Sequence, residues 1–218
     1  MPDPLRRIAI AAAVLIVTLS SAIASQRERL LDDYRNGLVG WETKSFVGQT
    51  HYTVEQEGAQ FHIHAESKAS ASGLFHSVDY DPKEQPILKW RWKIAHPIAK
   101  GDERSKSGDD YAARVYVVFP SLLFWKTTAL NYIWANRLPK GAIIANVYTA
   151  NAMMIAVESG PARADQWISE ERNVYEDYKR AFGSEPPRAG AIAIMTDTDN
   201  TGEAASAWYG PISISAAP

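Results

Sequence analysis

Between Ile87 and Ile94 apolar and charged residues alternate without a break. Leu88, Trp90, Trp92 and Ile94 fall on one side of an extended chain, and Lys89, Arg91 and Lys93 on the other. Alternation this regular argues for a strand in a sheet with one buried and one wet face. The two tryptophans are therefore read as core. The alternative is a flat platform that stacks on sugar rings.

The same period recurs along the chain. Residues 41–46 read as a strand. Residues 51–55 and 61–65 flank Gln56-Glu57-Gly58-Ala59 as a β-hairpin. Matching apolar faces opposes Tyr52 to Ile63 and Val54 to Phe61. His51 then faces His64, and Thr53 faces His62. His51, His62, His64 and Glu55 share a polar face on which zinc is the candidate ion, against a plain wet sheet surface. Residues 113–119 are apolar on both sides, as in a central strand. Residues 143–148, 153–158, 191–196 and 207–214 complete the strands, and Ser72-Gly73 reads as a bend.

Helical spacing is rarer. Trp167, Val174, Tyr178 and Phe182 predict a helix over 165–182, stopped by Gly183 and Pro186-Pro187. Residues 27–35 read as a short helix. Residues 121–140 carry Leu122, Leu123, Phe124, Trp125, Leu130, Ile133 and Trp134. They read as a helix capping one end of the molecule, with an exposed apolar patch as the alternative. The fold expected is mainly β: a jelly-roll-like two-sheet antiparallel β-sandwich with one principal α-helix at about 165–182.

The N-terminal segment points to export. Arg6 and Arg7 precede an apolar run from Ile8 to Leu19, and Ala22-Ile23-Ala24 offers a small-x-small cleavage pattern. The run's twelve residues reach about 18 Å as a helix, well short of a bilayer's hydrocarbon core of about 30 Å. Residues 1–24 are read as a signal peptide and 25–218 as one domain, periplasmic or secreted. An uncleaved anchor is the alternative and the one route to a membrane. The chain has no cysteine, so packing rather than disulfides must hold the fold, and thiol chemistry is excluded. Its 23 basic and 25 acidic residues are intermixed, with no block suited to nucleic acid. Nothing in the pattern sets the oligomeric state.

Several segments, in order, carry a family resemblance. They include Gly40-Trp41-Glu42, Ala71-Ser72-Gly73-Leu74, Leu88-Lys89-Trp90-Arg91-Trp92 and Gly108-Asp109-Asp110-Tyr111-Ala112-Ala113-Arg114-Val115. They continue through Asn131-Tyr132-Ile133-Trp134, Glu171-Arg172-Asn173-Val174, Met195-Thr196-Asp197-Thr198-Asp199-Asn200-Thr201-Gly202 and Ala207-Trp208-Tyr209-Gly210. This pattern resembles domain-of-unknown-function family 3047, a group of exported bacterial proteins. The layout resembles the galactose-binding-like jelly rolls of carbohydrate-binding modules, an analogy of fold that does not settle function. Pro211 departs from the acidic residue that follows the last motif in the family, and that position is assigned no role.

Candidate site residues come from charges placed where strands begin or end. Asp197-Thr198-Asp199-Asn200-Thr201-Gly202 offers carboxylate and amide oxygens at close spacing, so Asp197, Asp199 and Asn200 are candidate calcium ligands. The loop departs from an EF-hand in having Thr201 and Trp208 where further ligands would stand, and a turn explains the same residues. Asp109 and Asp110 open a central strand. Arg114 sits within it, and a buried Arg needs an acidic partner, with Asp197 or Asp199 suited to the part. Arg172 and Asn173 are candidates on the polar side of the predicted helix, and Trp208 is a candidate stacking surface.

There is no cysteine nucleophile, G-x-S-x-G elbow or HExxH motif. The expected function is non-catalytic binding of a glycan or similar polar ligand through these residues. The alternatives are a glycan hydrolase or lyase using paired carboxylates, and a structural envelope protein that binds another protein through residues 122–134.

Overall fold

The computed structural model describes residues 28–217; the expected signal peptide lies outside them. The first sheet contains β1 (Glu28–Asp32), β3 (His51–Glu57), β4 (Gln60–Lys68), β6 (Ile87–Ile94), β11 (Ile168–Asn173), β13 (Ala204–Tyr209) and β14 (Ile212–Ser215). Its order is β1-β14-β6-β13-β4-β3, with β11 on the other edge of β6. The second contains β2 (Trp41–Val47), β5 (Ala71–Tyr80), β7 (Arg114–Phe119), β8 (Thr128–Ala135), β9 (Ile143–Ala145), β10 (Ala152–Ser159) and β12 (Ala189–Asp197). Its order is β2-β5-β12-β7-β8-β10-β9. All pairs are antiparallel except β8 with β10. Among the described residues the one α-helix is α1 (Val174–Phe182), and none is long and apolar enough to cross a membrane.

The alternating face of β6 behaves as its sequence demands. Leu88, Trp90, Trp92 and Ile94 are buried between the sheets. Trp92 packs edge-on to Trp90 at 5.5 Å and against Trp134 at 5.8 Å. Hydroxyl ties cross between the sheets: the Tyr209 hydroxyl, from the first sheet, donates to the Met195 carbonyl of the second at 2.7 Å and accepts from the Arg114 amide at 3.3 Å.

Four expectations are corrected. The helix predicted over 165–182 occupies only its second half. Residues 168–173 pair with β6 as a strand, and only Val174, Tyr178 and Phe182 belong to the helix. Of the helix expected over 27–35, Glu28–Asp32 instead form β1, which finds backbone partners along β14. Ser72-Gly73 is not a bend but part of β5. Small residues are needed there, because a Cβ on Gly73 would come within 3.1 Å of the Ile194 carbonyl oxygen. The segment 121–140 is no helical cap. Leu130, Ile133 and Trp134 fit helical spacing, but Leu130, Tyr132 and Trp134 fit period two and point into the core along β8. In the same segment Leu122, Leu123, Phe124 and Trp125 are exposed, and Phe124–Lys126 form a short 3-10 turn.

The hairpin β3–β4 is shifted by two residues from the expected register. Val54 pairs with Ile63, Thr53 with His64 and His51 with Glu66. A two-residue shift keeps every side chain on its face. Glu55 thus meets His62 at 3.3 Å and His64 at 2.9 Å, while His51 is carried away from them.

Glu170 illustrates a cost of this packing. It lies on β11, where the Trp92 indole N–H donates to it at 3.3 Å. Burial first, and then the Glu158 carboxylate, push its carboxyl from 4.5 up to about 7. The folded state holds this proton more tightly than the unfolded chain does. Ionisation therefore costs stability progressively as pH rises from about 4.5 to 7, and nothing below. Glu170→Gln is expected to stabilise the fold by about 2 kcal/mol near pH 8, after screening at its exposed side, and not at all near pH 4. Urea titrations at the two pH values check this; an equal effect at both would contradict it.

Candidate functional site

The outer face of the second sheet is only partly covered. Residues 136–151, which make the crossover between parallel β8 and β10, fold back over it. Tyr111, Ile133, Ala135, Leu138, Met154 and Ala156 form a small second core there. Glu103, fully buried, latches this crossover: its carboxylate accepts from the backbone amides of Asn136, Arg137 and Leu138. Beside the covered part the sheet face remains open as a cleft of about 500 Å³.

One wall of the cleft is built around Arg114. The side chain leaves β7 on the outward face and is 5% exposed. Its Nε donates to Asp197 Oδ1 at 2.9 Å, and a terminal nitrogen contacts Asp197 Oδ2. The same terminal nitrogen donates to the Asp109 carbonyl at 3.2 Å. The guanidinium lies over the Tyr111 ring, 4.2 Å from its centroid. Asp109 accepts from the Tyr111 hydroxyl at 3.0 Å and from Asn146 Nδ2 at 3.0 and 3.1 Å. Asp110 is fully buried behind it and accepts from the amides of Asn200 at 3.2 Å and Thr201 at 2.6 Å. That pair of bonds fixes the turn presenting Asp199 and Asn200.

Asp199 differs from the other three acids. Asn200 Nδ2 lies 3.4 Å from it, and it is partly open to the cleft. Burial first, and then the Asp110 carboxylate, hold its carboxyl above the usual aspartate range. The rest of the cleft is shaped by Phe46, Tyr116 and Tyr148 as aromatic edges and by Met195 and Asn131 on the sheet face.

The sequence candidates divide accordingly. Asp109, Arg114, Asp197, Asp199 and Asn200 line this cleft, with Asp110 directly behind. Arg172, Asn173 and Trp208 do not. Arg172 is held by Asp177 at 2.6 and 2.9 Å, and Asn173 caps α1 by accepting from the Glu176 amide at 3.0 Å. Their places follow from the strand that replaces the first half of the expected helix. Trp208 alternates with core residues Ala207 and Tyr209 on β13, so it points out of the opposite sheet. There its ring stacks on His64 at 4.7 Å, with Lys93 Nζ 4.2 Å from its centroid. Asn131, Asn146, Tyr148 and Phe46 were not legible as site residues, since each is isolated in sequence from the charged motifs, and Tyr116, two residues after Arg114, carries no charge to mark it.

Among the described residues, the one group of three acidic or histidine side chains whose donor atoms lie within 4.8 Å of one another is Asp110, Asp197 and Asp199. The His51, His62, His64 and Glu55 set expected for zinc does not form such a group. The acidic group itself is not the oxygen set that calcium needs. Both oxygens of Asp197 face Arg114, both oxygens of Asp110 hold backbone amides, and the Asn200 amide nitrogen turns to Asp199. The guanidinium supplies the positive charge that an ion would otherwise bring.

The family model described as "Protein of unknown function (DUF3047)" matches residues 39–213. The chain belongs to this family. Every cleft residue named above falls within the DUF3047 region. No curated protein matches the chain. Similar solved structures include a family 11 carbohydrate-binding module from Clostridium thermocellum in complex with a β-1,3-1,4-mixed-linked tetrasaccharide, at 11% identity and TM-score 0.47, covering 88% of this chain and 96% of that one. They also include a cellulase derived from Cel12A of Rhodothermus marinus, at 12% identity and TM-score 0.45, covering 86% and 98%. The K1 cleaved adhesin domain of Lys-gingipain from Porphyromonas gingivalis is similar at 13% identity and TM-score 0.41, covering 88% and 99%.

Proposed function

We propose that this protein binds a glycan or similarly polar ligand in the cleft on the outer face of the second sheet, without transforming it, in the periplasm or outside the cell. The observation carrying this reading is a wall of polar groups immobilised by buried bonds, set against aromatic edges within one cleft. Fixed polar groups orient a ligand, and aromatic surface supplies contact area. The location rests on the export segment expected at the N-terminus.

A hydrolase or lyase asks for two carboxylates flanking the ligand, at least one able to exchange a proton. Asp109, Asp110 and Asp197 instead gather around Arg114 and its loop, each held by two or more donors. They serve better as permanent acceptors than as acids or bases. The alternative of a protein partner bound across residues 122–134 is split by the fold, which exposes the first four apolar residues and buries Leu130, Ile133 and Trp134.

Isothermal titration with a panel of oligosaccharides tests the proposal. Tyr148 is exposed on the cleft rim, so Tyr148→Ala is expected to weaken binding about tenfold while leaving the melting temperature unchanged. Full affinity in this variant would remove the cleft from consideration. Sugar cleavage by the unmodified protein would replace binding with catalysis.

A further inference from the structure

The cleft has a surplus of acceptors and of negative charge. Among the described residues, Asp109, Asp197 and Asp199 line it against one cation, Arg114, whose charge is already engaged by Asp197, and no lysine or histidine lines it. Three of its donors are turned into the protein. Asn146 Nδ2 turns to Asp109, Asn200 Nδ2 to Asp199, and the Tyr148 hydroxyl donates to the Lys106 carbonyl at 3.0 Å.

A separate observation comes from the sheet face. Asn131 is 1% exposed and lines the cleft, yet its Oδ1 has no hydrogen-bond partner. Its Nδ2 is turned to the Met154 sulfur at 3.2 Å. A buried carbonyl oxygen left without a donor is costly, and a ligand that donates to it removes the cost.

We infer that the ligand is a glycan bearing free, positively charged amino groups, an oligosaccharide of unacetylated amino sugars. This rests on the glycan-binding reading above and narrows it. A hydroxyl both donates and accepts, so a neutral sugar brings acceptors to a wall already rich in them. An ammonium brings three donors, no acceptor and the missing positive charge. A uronate or phosphate adds like charge and is repelled. Acetylation removes the charge and leaves a single N–H.

The test is isothermal titration of the full chain with a β-1,4-glucosamine tetramer, its N-acetylated counterpart, a β-1,4-glucose tetramer, a galacturonate tetramer and spermidine. Each is run with and without calcium chloride. The glucosamine tetramer is expected to bind at least about tenfold more tightly than every other probe. That preference should shrink to about threefold or less in Asp199→Asn, which removes a charge at nearly constant shape. The selectivity of the unmodified protein is decisive even if the variant folds poorly.

Equal or tighter binding of the neutral, acetylated or acidic tetramer overturns the inference and leaves glycan binding standing. Sugar binding that requires calcium overturns it too, as does spermidine matching the glucosamine tetramer. Silence from every sugar ends both readings.

Discussion

Arg114→Met is expected to lower the unfolding free energy by about 3–5 kcal/mol, the cost of stripping one partner from a buried ion pair. The methionine fills much of the space and removes only the charge and its donors. Asp197, 2% exposed, is then left with the Tyr111 amide at 3.2 Å and no cation. The Asp109 carbonyl loses its donor, and Tyr111 loses the guanidinium above its ring. The double variant Arg114→Met, Asp197→Leu is expected to regain most of the loss, because the pair's own desolvation cost disappears with it. Urea unfolding measures both. A loss under about 1 kcal/mol in the single variant would show that water, not the protein, was satisfying these charges. Both variants should lose ligand, so stability and binding separate in the double variant.

Trp92→Ala is expected to cost about 3–5 kcal/mol, the range for deleting a large buried aromatic side chain. Trp92 is fully buried at the centre of the tryptophan cluster, between Trp90 of its own sheet and Trp134 of the other. Its removal opens a void between two layers that no neighbouring strand can close without breaking its ladder. Glu170 also loses its indole donor. Trp92→Phe keeps part of the ring contact and is expected to cost about half as much. Denaturant midpoints at fixed pH read this directly, and a Trp92→Ala midpoint near that of the unmodified protein would mean that the cluster is not the stabilising centre.

Where the sequence carried strong period-two contrast, the fold was legible. β6 could be placed and its buried face named from eight residues. β5 could not, because Ala71-Ser72-Gly73 has no large side chain to set a face; its smallness reflects the close approach of β12, visible only in three dimensions. β8 was hidden for the opposite reason. Asn131 apart, it is apolar on both faces, since part of its outer side is covered by the small second core, and a mostly apolar run fits helix and strand equally. The 165–182 segment misled because Trp167 happens to stand at helical spacing from a real helix beginning at Val174.

The site divides in the same way. A charge inside an apolar strand must be answered, so Arg114 and its partner Asp197 could be paired from sequence. Asn131 left no such sign. A single amide in a strand is ordinary until its oxygen is found buried at a cleft without a donor.

The Glu103 latch gives the cleft a hidden dependence. One carboxylate clasps three consecutive amides, so those amides are freed together or not at all. Behind them lies Tyr111, whose phenol orients Asp109. A fluctuation that unclasps the crossover therefore slackens the Asp109 side of the cleft in the same event, and a ligand held there would work against that loosening from a distance.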